Sequence, residues 1–367
     1  MTKLHDLNTL GQAVWFDFIR RSFTASGELQ ALVEQGVRGV TSNPTIFEQA
    51  IAGSSDYDAD LEPLVRAGKS VDEIYEALAM DDIRAAADTL RPVYDATNGA
   101  DGYVSMEVSP TLAHDTEGTI ADARRLFGAL DRPNIMIKVP ATPAGIPAIK
   151  TLIGEGININ VTLIFSVAQY EAVVEAYMSG LEQLSATGGD LGRVASVASF
   201  FVSRVDSAVD KLLAEKGNTE LQGQIAVANS KLAYARFEEL FGATRWQKLA
   251  EQGAQVQRPL WASTGTKNPD YSDTLYFDTL IGPHTVNTLP PHTLDAVQDH
   301  GTLARTVDTD MDTVRAQLAQ LADLGIDLDA VTQQLQDEGV EKFAKSFESL
   351  LASVAERRDQ LLAAEGA

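Results

Sequence analysis

The 367-residue chain contains no cysteine. Disulfide bonds, thiolate catalysis and zinc–thiolate sites are therefore excluded. The five histidines are scattered, without the spacing of metal ligands, so no metal site is predicted. No run approaches the roughly 20 apolar residues of a membrane span. The N-terminus lacks the apolar segment of a signal peptide, and a cytoplasmic location is expected.

Positive charge is also scarce. The chain has 29 Lys and Arg against 52 Asp and Glu, a net charge of −23. A surface of this sign repels nucleic acid, anionic membranes and phosphorylated metabolites. We therefore expect no nucleic-acid or membrane partner. Any phosphate-binding role requires a local pocket built from a few specific Arg or Lys residues.

Short apolar runs alternate with longer amphipathic stretches along the chain. Because parallel strands need crossover connections, this alternation predicts an α/β protein with a parallel sheet. Eight units most economically close into a (β/α)8 TIM-type barrel. An open doubly wound sheet is the alternative, but no Gly-x-Gly-x-x-Gly follows the first strand and no Walker-type loop is present. The predicted strands are Ala13–Asp17, Val37–Ser42, Tyr103–Ser109, Ile135–Ala141, Ile157–Phe165, Val194–Val202, Pro259–Ser263 and Thr285–Thr288.

The chain is longer than a minimal barrel of about 250 residues. We predict one domain, residues 1–367, with a helical insertion at about 51–97 and a helical tail at about 311–367. An apolar face at helical spacing along the tail favours packing against the barrel, with closure of the active site as an alternative. This face consists of Phe343, Phe347, Leu350, Leu351 and Val354.

Helix signals lie between the strands. Two capping boxes, Ser70 with Glu73 and Ser166 with Gln169, predict helix starts. Three further stretches are also predicted to be helical: Asp115 to Leu130, Val205 to Leu213 and Thr219 to Leu240.

Lys138 is unusual because it lies in an apolar strand, flanked by Ile137 and Val139. Burial disfavours the charged form of a lysine, and a neutral amine can attack a carbonyl to form a Schiff base. The alternative is a lysine at a strand end that extends its ammonium group to water. Taken alone, Lys138 favours that second interpretation.

Other polar residues lie late in successive strands, where the active site of a barrel is found. Each has an ordinary explanation: Asp17 as a helix cap, Asn43 as part of a turn, Glu107 as an arginine partner. Their coincidence favours a common site instead. The set comprises Asp17, Asn43, Glu107, Lys138, Asn160, Thr162, Ser199, Phe201, Arg204 and Lys267.

These residue types suit the cleavage of a ketose. Lys138 would form an imine, and Asp17 is a candidate to take the proton of the C4 hydroxyl. Glu107 with Thr162 could hold the water of imine formation and hydrolysis. Asn43 and Asn160 are candidates to orient the retained three-carbon unit. Arg204 and Lys267 are candidates to hold a phosphate.

Two motifs make the sequence resemble the transaldolases. Gly39-Val40-Thr41-Ser42-Asn43-Pro44-Thr45-Ile46-Phe47 is similar to the first signature of that family. The segment from Ile135 through Lys138 to Gly145 is similar to its active-site lysine signature. Further matching segments surround Asn160, Arg204 and Trp261, and the resemblance runs from about Leu10 to Leu351. The length is similar to that of a longer-chain bacterial subgroup.

The resemblance implies a barrel, a Schiff-base lysine and no cofactor. It implies transfer of a dihydroxyacetone unit from sedoheptulose 7-phosphate to glyceraldehyde 3-phosphate, giving erythrose 4-phosphate and fructose 6-phosphate in the pentose phosphate pathway. It also implies sugar-phosphate partners in a monomer or homodimer. By residue, it implies Lys138 as the imine lysine and Asp17 as the carboxylate of C–C cleavage.

For the remaining site residues, the resemblance implies a water-holding role for Glu107 and Thr162. Contacts to the substrate are implied for Asn43, Asn160, Ser199, Phe201 and Arg204. Many family members have an arginine where Lys267 is placed, and a lysine keeps the charge but loses the two-pronged geometry.

Two rival functions remain. A related lyase cleaves fructose 6-phosphate to free dihydroxyacetone, but such aldolases tend to carry Gln in place of Glu107 and Tyr in place of Phe201. The second rival is a catalytically silent sugar-phosphate-binding barrel. The joint presence of Lys138, Asp17 and Glu107 argues against it.

Overall fold

Eight parallel strands form a closed barrel in the computed structural model, which describes residues 2–365. The strands follow one another around the barrel in chain order, and β1 pairs with β8 to close it. The predicted (β/α)8 barrel is thus confirmed. The strands are β1 Gln12–Phe16, β2 Val37–Val40, β3 Tyr103–Glu107, β4 Ile135–Pro140, β5 Ile159–Ile164, β6 Ser196–Phe201, β7 Arg258–Ala262 and β8 Thr285–Leu289.

Most strands are buried on both faces, one against the barrel interior and one against the surrounding helices. This explains their nearly continuous apolar runs. Several predicted strands extend one or two residues too far. Asp17, Thr41 and Ser42 lie just beyond the last residues of β1 and β2, although the backbone N–H groups of Asp17 and Thr41 still donate to the neighbouring strands.

Helices surround the barrel and extend beyond it. Three short segments of other helical type lie at Glu48–Ala52, Pro110–Leu112 and Leu191–Arg193. The α-helices are α1 Lys3–Thr9, α2 Arg21–Ala25, α3 Glu28–Gln35, α4 Pro44–Phe47, α5 Asp58–Arg66, α6 Val71–Ala96, α7 Thr116–Leu130, α8 Gly145–Gly154, α9 Val167–Ala186, α10 Ser203–Glu215, α11 Ile225–Gly242, α12 Thr244–Ala250, α13 Leu275–Asp278, α14 Pro291–His300, α15 Met311–Asp323 and α16 Leu328–Glu365. None of the helices within residues 2–365 has the length and apolar character needed to cross a membrane.

The capping signals in the sequence correspond to helix starts. Ser70 and Ser166 each form a complete capping box, at the starts of α6 and α9. The predicted helix from Thr219 is wrong at its start, because α11 begins only at Ile225. The preceding turn uses Gly223 at φ +71°, and its N–H donates to Asp210 rather than to a helical carbonyl.

The two regions of extra sequence are helical. Helices α5 and α6 lie between β2 and β3, and α15 and α16 follow the last barrel helix. Along α16, Phe343, Leu350 and Val354 are buried. The Phe347 ring packs edge-on against Tyr75 of α6, with ring centroids 5.4 Å apart. Helix α16 is therefore packed in part against the helices between β2 and β3.

Asp206 connects three helices outside the barrel. Its carboxylate accepts hydrogen bonds from the backbone N–H of Ala226 (2.7 Å) and from the Tyr276 hydroxyl (2.9 Å). The side chain is only 1% exposed. Burial raises the pKa of Asp206 to about 7, although both hydrogen bonds oppose this shift.

We expect this shift to make stability fall as pH rises from about 4 to about 7. Across that window the folded protein keeps a proton on Asp206 that the unfolded chain has lost, and above it the effect is constant. Asp206→Asn cannot ionise and should raise the unfolding free energy by about 2–4 kcal/mol at pH about 8, with little gain near pH 4. Thermal unfolding across this pH range provides the measurement. Exposed Asp295→Asn is the control, and an equal gain at both ends of the range would contradict the assignment.

Candidate active site

Nine of the ten predicted site residues line one cavity of about 450 Å³, into which the carboxyl ends of the strands open. The tenth, Glu107, lies behind Lys138 and borders a neighbouring cavity of about 210 Å³. The nine are Asp17, Asn43, Lys138, Asn160, Thr162, Ser199, Phe201, Arg204 and Lys267. The coincidence along the sequence is therefore a cluster in space.

Lys138 is held between two oxygen atoms deep in the barrel. Its residue is 5% exposed, and Nζ donates to the backbone carbonyl of Ser42 at 2.9 Å. Glu107 Oε2 is 3.3 Å from the same nitrogen. Strand register explains this arrangement, because Glu107, Lys138 and Asn160 are aligned partners on β3, β4 and β5. Aligned residues on neighbouring strands project to the same side. Lys138 therefore does not extend to bulk water, and that interpretation is wrong.

Glu107 is the buried partner of this lysine, with a side chain only 6% exposed. Burial raises the pKa of Glu107, Lys138 lowers it, and Asp17 raises it further. Oε2 accepts no hydrogen bond of good geometry from residues 2–365. The carboxylate can therefore exchange a proton with Lys138, and it also borders the smaller cavity.

Asp17 is positioned by β8 and by the start of the loop after β2. Its backbone N–H donates to the Leu289 carbonyl, and its Oδ1 accepts a 2.6 Å hydrogen bond from the Thr41 hydroxyl. It does not cap α2, which starts at Arg21. Burial raises the pKa of Asp17, and the hydrogen bond from the Thr41 hydroxyl opposes this shift. Three cations of the site lower the pKa of Asp17 further: Lys138, Lys267 and Arg204.

Asn160 has its amide fixed by two serines. Its Nδ2 donates to Ser105 Oγ at 3.0 Å, and its Oδ1 accepts from Ser199 Oγ at 2.7 Å. All three residues are buried. The network sets which end of the amide is donor and which is acceptor before any substrate arrives.

Asn43 and Thr162 differ in how they are held. Asn43 Oδ1 accepts from the Ile46 backbone N–H at 3.0 Å, so the residue caps α4 rather than forming a turn, and it also faces the cavity. The Thr162 hydroxyl makes no hydrogen bond to any described residue. It is therefore available to a bound molecule.

Arg204 and Lys267 supply positive charge to the cavity from the segments that follow β6 and β7, whereas Glu107 ends β3. Neither forms an ion pair or hydrogen bond within residues 2–365. The Arg204 guanidinium lies 5.1 Å from the Phe201 ring centroid, and Phe201 packs against Phe165 at 5.1 Å. Burial lowers the pKa of both cations, and their mutual repulsion lowers that of Lys267 further. Unpaired cations in a chain of net charge −23 favour binding of an anion here.

Two residues of α16 join the cavity that sequence reasoning did not assign to it: Lys342 and Phe343. The Phe343 ring centroid is 5.9 Å from Lys138 Nζ. The apolar face of the tail contained the signal for Phe343, since closure of the site was one of its two interpretations. Nothing in the sequence around Lys342 distinguishes it from a surface lysine. Among residues 2–365, no group of His, Asp and Glu side chains is placed to hold a metal ion.

A closed parallel barrel with a buried lysine facing two carboxylates defines a (β/α)8 enzyme. The model of the transaldolase/fructose-6-phosphate aldolase family matches residues 14–354, and the chain belongs to this family. It is 52% identical to a transaldolase of Thermobifida fusca, over 96% of this chain and 98% of that protein. It is 48% identical to one of Trichodesmium erythraeum and 50% identical to one of Saccharopolyspora erythraea, each over 98% of both chains. The predicted family and transaldolase function are confirmed.

The buried ion pair makes a prediction about stability. Glu107→Ala should destabilise the fold by about 3–5 kcal/mol, because the Lys138 ammonium group loses its countercharge. Adding Lys138→Met should recover most of that loss, since the double variant buries no charge. Chemical unfolding measures both. Glu341→Ala, which breaks the exposed pair with Lys345, is the control and should cost below about 1 kcal/mol. Equal losses in the single and double variants would show that the charge is not the cause.

Proposed function

We propose that this chain transfers a dihydroxyacetone unit between sugar phosphates through an imine on Lys138. The observation that carries the proposal is the position of Lys138, which is buried against Glu107 and open to the cavity. The same cavity is lined by Asp17 and by two cations without an ion pair, Arg204 and Lys267. The proposed exchange takes the unit from sedoheptulose 7-phosphate to glyceraldehyde 3-phosphate and gives erythrose 4-phosphate and fructose 6-phosphate.

Imine formation begins at Lys138 and Glu107. The ammonium group must lose a proton before its nitrogen attacks C2 of the ketose, and Glu107 is 3.3 Å away to take it. The C2 oxygen then receives two protons and leaves as water. Glu107 suits both directions of this exchange because burial raises its pKa while Lys138 lowers it.

Carbon–carbon cleavage uses Asp17 as the base. It takes the proton of the C4 hydroxyl, the C3–C4 bond breaks, and its electron pair moves into the protonated imine to form an enamine. The aldose leaves and an acceptor aldehyde reacts by the reverse steps. Burial raises the pKa of Asp17, and the Thr41 hydroxyl and the charge of Lys138 oppose this shift by favouring the ionised form that this step requires.

Binding of the substrate is divided between two sides of the cavity. Asn43, and Asn160 with Ser199, orient the hydroxyl groups of the three-carbon unit. On the other side, Arg204 and Lys267 bind the phosphate. The Phe201 ring packs against the Arg204 guanidinium and supports it.

Water for imine hydrolysis is assigned to Thr162 and Glu107. Thr162 has a free hydroxyl at the substrate cavity, while Glu107 borders the smaller cavity behind Lys138. That smaller cavity, about 210 Å³, gives water access to the carboxylate from a side that the ketose does not occupy. The chain acts as one domain in this proposal, as a monomer or homodimer.

The related lyase, which releases free dihydroxyacetone, is the second candidate. Glu107 and Phe201 favour the transferase, because such aldolases tend to carry Gln and Tyr at these positions. Incubation with fructose 6-phosphate alone decides between them. We expect little free dihydroxyacetone until an acceptor aldehyde is added, and sustained release at the turnover rate would favour the lyase.

Reduction of the imine tests the mechanism directly. Treatment with fructose 6-phosphate and borohydride should add the three-carbon unit to the Lys138 peptide, as seen by mass spectrometry. Lys231 is the internal control, because it is also buried (7% exposed) but donates to the Thr309 carbonyl, away from the cavity. Modification of neither lysine, or of both equally, would refute the assigned role of Lys138.

A further inference from the structure

One buried side chain of α16 forms hydrogen bonds to the barrel. Gln336 is 2% exposed, and its Nε2 donates to the backbone carbonyls of Ala141 (3.0 Å) and Leu163 (2.9 Å). Ala141 directly follows β4, which carries Lys138, and Leu163 lies in β5 one residue after Thr162. The helix is therefore bonded to the two strands nearest the reactive lysine.

The backbone of β5 is distorted where Gln336 binds. Leu163 has φ +59°, and the pairing of β5 with β6 shifts register between Val161 and Ile164. A positive φ strains the backbone at a residue with a β-carbon, so the surrounding structure must compensate. The distortion frees the Leu163 carbonyl from the ladder, and Gln336 satisfies it.

The same helix face continues over the cavity. Gly339 and Phe343 follow Gln336 at helical spacing. A β-carbon on Gly339 would lie 2.9 Å from Leu163 Cδ2, so glycine permits this close approach of the helix to β5. Phe343 then covers the cavity beside Lys138.

Lys342, beside Phe343, carries the charge of α16 to the cavity. Its side chain borders the cavity together with Arg204 and Lys267, and it has no ion-pair partner among the described residues. Lys345, one turn along, instead pairs with Glu341 at 3.7 Å. The carboxylate of Glu338 acts on Arg204 at long range only, because no hydrogen bond joins them within residues 2–365.

We propose that Lys342 is a third ligand of the substrate phosphate, and that Gln336 positions it by holding α16 across the barrel mouth. The inference rests on the proposed function, because it assigns the anion of that site. Arg204, Lys267 and Lys342 then bind one phosphate dianion together. None of the three forms an ion pair with a carboxylate of the described residues. The nearness of Lys342 to Lys267 is also evident in the pKa of Lys267, which burial, Arg204 and Lys342 together lower. The negative charge of a bound phosphate would offset the repulsion between Lys267 and the other two cations.

Lys342→Ala tests the ligand. We expect KM for fructose 6-phosphate and the inhibition constant of inorganic phosphate each to rise about tenfold, with kcat changed less than about twofold. The ratio of kcat/KM on fructose 6-phosphate to kcat/KM on unphosphorylated fructose should fall about tenfold, because fructose lacks the group that Lys342 binds. Lys345→Ala is the matched control on the same helix and should leave every constant unchanged.

Two outcomes would overturn the assignment: an unchanged KM for fructose 6-phosphate, or equal losses on fructose and fructose 6-phosphate. The second would show a structural role only. If the wild-type protein forms no borohydride-trapped adduct on Lys138, the proposed function itself fails. If the wild-type protein forms the adduct but Lys342→Ala leaves KM unchanged, only the assignment of Lys342 fails. The two failures are therefore distinguishable.

Gln336→Leu tests positioning. It keeps the side-chain bulk but removes both N–H donors, so α16 loses its bonds to Ala141 and Leu163. KM for fructose 6-phosphate should rise as it does in Lys342→Ala. In the double variant, the fold-increase in KM should be smaller than the product of the two single fold-increases. Gln333→Ala, which removes an exposed bond to Asp337, is the control. Fully multiplicative effects would show that Gln336 does not act through Lys342, and Lys342→Ala still tests the ligand if Gln336→Leu fails to fold.

Discussion

The buried contact between Lys138 and Glu107 is the constraint on which the site depends. A charge inside a barrel is tolerated only with a countercharge or well-placed oxygen atoms, and here Glu107 and the Ser42 carbonyl supply both. The aligned register of β3, β4 and β5 brings Glu107, Lys138 and Asn160 to one level. The same register therefore stabilises the charge in the resting protein and places a proton acceptor beside the nucleophile.

Electrostatics also explains why so acidic a chain can act on anions. Its surface charge is spread over many exposed carboxylates, and most of its arginines are paired with carboxylates, whereas Arg204, Lys267 and Lys342 form no ion pair within residues 2–365. Interactions between exposed charges are screened within about 10 Å at moderate salt. The local field at the mouth is therefore set by Arg204, Lys267 and Lys342 rather than by the net charge.

The barrel and most of the site could be predicted because both follow from local rules. Apolar strands alternating with helices require a parallel sheet, and polar residues late in the strands converge at its carboxyl end. What could not be predicted depends on contacts distant in sequence. The Gln336 bonds to β4 and β5 span 195 and 173 residues, and no periodic pattern marks them. The ends of β1 at Phe16 and β2 at Val40, and the late start of α11 at Ile225, depend on the local conformation of individual residues.

The pairing of β1 with β8 has a consequence for how the protein is made. The first strand waits for a partner, Thr285–Leu289, that is synthesised more than 260 residues later. Long-range pairing of this kind is slow because the chain must close a large loop first. Gln336 and Phe343 are synthesised later still. A nascent chain on the ribosome therefore carries Lys138 long before it has a closed barrel or a cover for the cavity, and the complete site can assemble only after Phe343 has been synthesised.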